Sequence, residues 1–134
     1  MITNSLAGFN NMVVAEIRAA AALTTSYVAA TVIDFQGANT LILEFNFTKG
    51  GSTGFRFKIE TSNDGTNYYQ EQEMSQAGGV TSYLDNEREV AVSDATAMKK
   101  VEIPMCAKYV KVSAKALTSG TSTSLTITAG KLYI

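Results

Sequence analysis

The chain has 134 residues, 46% of them hydrophobic, with a formal charge of −1 and a pI near 5.4. That length holds one domain with a real core, and the charge gives no electrostatic reason to expect nucleic acid or an anionic membrane as partner. Histidine is absent and Cys106 is the single cysteine, which excludes Ser-His-Asp and Cys-His catalysis, ordinary zinc sites and an intramolecular disulfide.

Residues 1–23 lack strand alternation and are rich in alanine. Leu6, Phe9, Val13 and Ile17 fall near helical spacing, which predicts an N-terminal arm or short helix that docks on its own domain or on a neighbour. Asn4, Asn10, Asn11, Glu16 and Arg18 interrupt any continuous apolar run, so a signal peptide is not expected. No segment approaches the roughly 20 apolar residues of a bilayer span.

Residues 24–134 read as the folded domain. Thr24 to Phe35 is β-rich, with Tyr27, Val28, Val32, Ile33 and Phe35, and QGAN follows as a turn. Leu41, Leu43, Phe45 and Phe47 then alternate with polar residues, as do Phe55, Phe57 and Ile59. That period of two defines strands with one buried face. The glycines of TKGGSTG must turn the chain between them, and the expected product is a hairpin with Phe47 opposite Phe55, Phe45 opposite Phe57, and Glu44 across from Lys58. Ser62-Asn63-Asp64-Gly65 supplies a further turn.

Tyr68 to Met74 continues a strand that SQAGG ends, and short β segments are expected at Val80 to Leu84, Glu89 to Val92 and Lys99 to Ile103. Pro104 marks a break. From Tyr109 to Ala116, Val110, Val112, Ala114 and Ala116 point one way, while Tyr109, Lys111, Ser113 and Lys115 are expected to face water. The last strand, LTITAGKLYI, changes apolar parity after Ala129, which predicts a β-bulge near Gly130. About seven or eight short strands with turn signals between them make an all-β chain, an antiparallel, jelly-roll-like β-sandwich.

Few residues suggest chemistry. Glu71, Glu73, Asp85, Glu87 and Glu89 are the densest of the twelve carboxylates; a hydrolase would need two of them across a cleft, whereas their alternating and loop settings favour solvated faces. Asn63, Asp64 and Asp85 could offer oxygen to calcium, but the turn role of Asn-Asp-Gly already explains them. Gly50, Gly51 and Gly54 join two strands rather than opening a helix, so they make no phosphate loop. Tyr68, Tyr83 and Tyr109 are the candidate recognition residues, because a tyrosine ring can stack on a sugar or a protein partner. Adjacent Tyr68 and Tyr69 should point opposite ways, one into the core. No residue pattern calls for a cofactor or a metal.

VIDFQG over Val32 to Gly37, TKG over Thr48 to Gly50, the ETSNDGTNY stretch from Glu60 to Tyr68, and YVKV over Tyr109 to Val112 occur in an order that resembles small structural proteins of tailed bacteriophages. The likeness covers roughly residues 24 to 134. It implies a non-enzymatic virion component, a capsid decoration or auxiliary protein or a head or tail accessory subunit. Its partners would be the major capsid protein, other virion proteins and copies of itself, with Leu6, Phe9, Val13 and Ile17 as arm contacts and no nucleic acid or membrane. SNDG followed by an aromatic also resembles discoidin-like carbohydrate-binding sandwiches, which leaves a glycan-binding module of a tail fibre or cell-surface protein as the alternative.

Overall fold

A computed structural model of the chain describes residues 11–35, 37–70, 72–85, 87–104 and 107–133, apart from the side chains of 11, 72–75, 77 and 81–85. The described chain is all-β. Its strands are β1 (Asn11–Ala21), β2 (Val28–Ala29), β3 (Ile33–Asp34), β4 (Thr40–Thr48), β5 (Gly54–Ser62), β6 (Tyr69–Gln70), β7 (Gln72–Ala77), β8 (Val80–Asp85), β9 (Glu87–Ala91), β10 (Thr96–Pro104), β11 (Tyr109–Ala116) and β12 (Ser124–Tyr133). One sheet runs β1-β12-β4-β10 and the other β2-β11-β5-β6, with β3 on β11 and β9 on β5. All pairings are antiparallel. β7 and β8 form a separate hairpin turned by Gly78 and Gly79, both at positive φ as a two-residue turn requires.

The alternation in β4 and β5 is real, but the two strands do not pair with each other. β4 lies between β12 and β10, and β5 between β11 and β9, so the Lys49–Thr53 connection passes from one sheet to the other. The phenyl rings expected side by side instead meet through the core: Phe45 and Phe57 at 4.6 Å, Phe47 and Phe55 at 4.8 Å, Phe45 and Phe55 at 5.5 Å between centroids. Tilted pairs at such distances contribute about 0.5–1.5 kcal/mol each beyond the area they bury. Glu44 consequently faces Lys100 and Thr128, and Lys58 faces Glu87 and Ser113. The connections from β9 to β10, β10 to β11 and β11 to β12 also change sheet, the crossing pattern of a jelly roll.

Asn11–Ala21 is a strand and not a short helix. It pairs with β12, first in continuous register from Asn11↔Tyr133 to Glu16↔Thr128, then with register shifts on either side of Arg18. The β-bulge expected near Gly130 is not there: Val14↔Gly130 lies within the unbroken part of this register. β12 itself holds unbroken register with β4 from Ser124 to Leu132, and its parity changes because Gly130, on the outer face beside Ile42, is covered by Met12. Ile17 and Leu23 join the core between the sheets. Thr31 N donates to Ile17 O (2.9 Å) and Lys131 Nζ to Asp34 O (2.9 Å), which stitch that side of the sandwich shut.

Candidate interaction surfaces

Three surfaces carry groups that could meet a partner. The first is the free side of β1. Met12, Val13 and Val14 are 42%, 52% and 57% exposed, and being consecutive they expose apolar surface on both faces of the strand. Of the arm residues singled out in the sequence, Val13 belongs to this edge and Ile17, 7% exposed, belongs to the core. Leu6 and Phe9 lie outside the described residues.

The second surface is the outer face of the β11-β5-β9 layer, where cations and tyrosine rings interleave. Lys111 Nζ sits 4.1 Å from the centre of the Tyr68 ring, and Lys108 Nζ 5.3 Å from that of Tyr109. Tyr27 lies between Lys58 and Lys115, each 4.8 Å from its ring centre, and Ser113, flanked by those lysines, is buried rather than facing water. Burial, and then the neighbouring Glu87 carboxylate, raise the Tyr27 pKa well above the ordinary tyrosine value. Among the described residues the Tyr27 hydroxyl has no partner in strict hydrogen-bond geometry, and the Glu87 carboxylate is the acidic group beside it. Arg56 binds Glu89, and Glu87 at 3.6 Å, so two of the carboxylates considered for hydrolysis are held by a guanidinium on an open sheet face. Glu71 and the side chains of Glu73, Tyr83 and Asp85 lie outside the described residues.

The third surface is a polar pocket at one end of the sandwich, about 270 Å³, bounded by Thr61, Ser62, Asn63, Asp64, Asn67, Tyr69 and Ala107. Asp64 organises its rim. Its Oδ1 accepts from Ser62 Oγ (2.9 Å), Thr66 N (2.8 Å) and Asn67 N (2.8 Å), and its Oδ2 from Asn67 Nδ2 (2.9 Å). The Asn67 and Thr66 amides, then the Asn67 and Ser62 side chains, hold its pKa well below the usual carboxylate value. Neither tyrosine of the adjacent pair is in the core: Tyr68 is half-buried under Lys111, and Tyr69 is 71% exposed beside the pocket. Tyr69 belongs to the same aromatic set in the sequence, and period-two logic, which assigns one of two neighbours to the interior, favours Tyr68 over it, whereas this pair lies at the end of β5, where Tyr69 faces Thr61. Among the described residues no cluster of three or more Cys, Asp or Glu is placed to hold a metal, and no helix is long and apolar enough to cross a membrane.

No protein-family model and no curated protein matches the chain. Among solved structures it is similar to the SPBc2 prophage-derived protein YomS, with a TM-score of 0.51 at 12% identity over 91% of this chain and 93% of that one. It also matches CBM27-1 of Caldicellulosiruptor saccharolyticus, solved in complex with mannohexaose, with a TM-score of 0.43 at 11% identity over 93% and 83% of the two chains. At these identities the likeness to the prophage-derived protein is one of fold: an antiparallel β-sandwich spanning nearly the whole of both chains.

Proposed function

We propose that the chain is a non-enzymatic structural protein of a tailed-phage virion, a decoration or auxiliary subunit that docks on the capsid shell and stabilises it through subunit contacts. The observation that carries this reading is the uncharged, apolar edge of β1, continuous in sequence with Leu6 and Phe9. Such an edge invites pairing with another chain and is normally blunted in a protein that works alone. The order of sequence motifs and the fold shared with a prophage-derived protein support the phage setting. A rigid sandwich with weak contacts suits a lattice, where many copies acting together supply the affinity that one lacks.

Purified virions of the phage that encodes the chain test this directly. Mass spectrometry of intact and salt-washed particles is expected to find the chain in many copies, released without loss of the major shell protein. Its absence from particles would overturn the proposal.

A second reading is favoured by Tyr69 and its pocket. An exposed ring beside Asn63, Asp64 and Asn67 offers a stacking platform with hydrogen-bonding groups, the combination that suits a saccharide. The rings of Tyr68 and Tyr109 serve less well, since lysine ammonium groups already lie over them. Glycan-array binding that disappears in Tyr69→Ala would move the function to this site.

A further inference from the structure

We infer that the N-terminal half of β1 is a self-association edge, at which the strands of two copies pair antiparallel and join two four-stranded sheets into one of eight strands. The inference deepens the structural reading above by naming one subunit contact, and rests on that reading only for its use in a virion.

The two halves of β1 are treated differently by the fold. Beyond Glu16 the edge is closed: the register shifts twice, Ile17 O is taken by Thr31 N, and the Arg18 guanidinium turns back onto the carbonyls of Leu125 (3.2 Å), Ala21 (3.2 Å) and Ala22 (2.8 Å). Bulges and folded-back charges are the usual protection of a sheet edge. From Asn11 to Glu16 the register is unbroken, and Asn11 to Ala15 carries no charge, proline or glycine. The opposite edge of the same sheet, β10, is guarded by Lys99, Lys100, Glu102 and Pro104. Among the described residues of this sheet, only one end of one edge lacks such protection.

Symmetry and charge identify a second copy as the occupant. With a two-fold axis at Val13, Val13 meets Val13, Met12 meets Val14 and Asn11 meets Ala15, so every opposed pair is neutral and three residues on each strand are apolar against apolar. The flanking Glu16 carboxylates then stand about 20 Å apart along the ladder, more than two screening lengths at physiological salt, and do not repel. Met12 and Val14 share the outer face with Gly130, Ile42 and Leu132 in register, so pairing also merges two apolar patches. Five paired residues on each strand with those patches cover on the order of 400 Å² per copy, about half a standard interface, which sets the expectation of a weak dimer.

Sedimentation velocity of the full chain from about 10 to 500 µM is expected to show monomer passing to dimer, and Val13→Lys, at an exposed position opposite Lys131, to remain monomeric and folded by circular dichroism, with a modestly lowered melting temperature from the like-charge pair. In a Cys106→Ser background, oxidised Val13→Cys is expected to form a disulfide-linked dimer, while Met98→Cys, 79% exposed on the guarded edge, does not. A monomer throughout the range, or a dimer indifferent to Val13→Lys with equal cross-linking at both cysteines, would overturn the inference. Neither assay contains virions, so its failure is separate from absence of the chain in particles.

Discussion

Asp64 carries most of the order in the loop after β5. A single carboxylate collects two backbone amides and two side chains, so the turn that Asn-Asp-Gly announces in the sequence is held by the aspartate as much as by Gly65 at positive φ. The folded pKa of Asp64 is depressed, which fixes the sign of its linkage. The charge stabilises the fold fully above the unfolded value of about 3.9, and that contribution fades as pH falls through the lower folded value. Asp64→Asn keeps an acceptor but loses the charge. Urea midpoints are therefore expected to be lower for Asp64→Asn than for the parent at pH 7 and at pH 5, with the gap closing below about pH 4. A gap that is the same at every pH would place the stabilisation in loop shape rather than charge. With no histidine in the chain, no imidazole titration overlays that profile.

At the scale of elements, alternation told which residues of β4, β5 and β11 are buried, and it could not tell which strands are neighbours. Phe45 opposite Phe57 is compatible with a shared ladder about 5 Å across or with two layers about 10 Å apart, because an inward-facing stripe looks the same in both. The deciding feature is the connection. Gly50, at φ +52 and packed against the backbone of Ser122, and Gly54, packed against that of Val90, let Lys49–Thr53 cross between sheets where a Cβ would collide. Ser52 locks the crossing. Its buried hydroxyl donates to Gly54 O (2.7 Å) and receives Leu117 N (3.2 Å), tying the β4–β5 connection to the segment after β11. Ser52→Ala removes both ties while Leu117 N keeps Gly54 O (3.1 Å), so it is expected to lower stability by about 0.5–1.5 kcal/mol in denaturant titration; Ser52→Thr, which keeps the hydroxyl, should recover part of it. β1 was illegible for another reason. Its first half is exposed on both faces and shows no alternation, and its alanines favour helix locally until pairing with β12 overrides that preference.

The whole molecule decides whether residues before Thr24 are an appendage or part of the domain. Ile17 and Leu23 are buried between the sheets, Leu23 N donates to Thr123 Oγ1 (2.9 Å), and β1 covers the edge of β12 along its length. Two large aliphatic side chains removed from a core cost roughly 4–10 kcal/mol together, against a total stability on the order of 5–15 kcal/mol for a domain of this size. Losing the β1 ladder also uncovers β12, a long alternating strand with no charge before Lys131, as a new aggregation edge. A chain beginning at Thr24 is therefore expected to be unfolded or aggregated by circular dichroism and gel filtration. One beginning at Asn11 keeps every described contact and should melt within a few degrees of the full chain. Equal melting of all three would make Asn11–Leu23 dispensable to the fold and return it to the status of an arm. If the Thr24 chain fails and the Asn11 chain holds, the N-terminal segment serves two masters along one strand: its second half completes the sandwich, and its first half is left open for a partner.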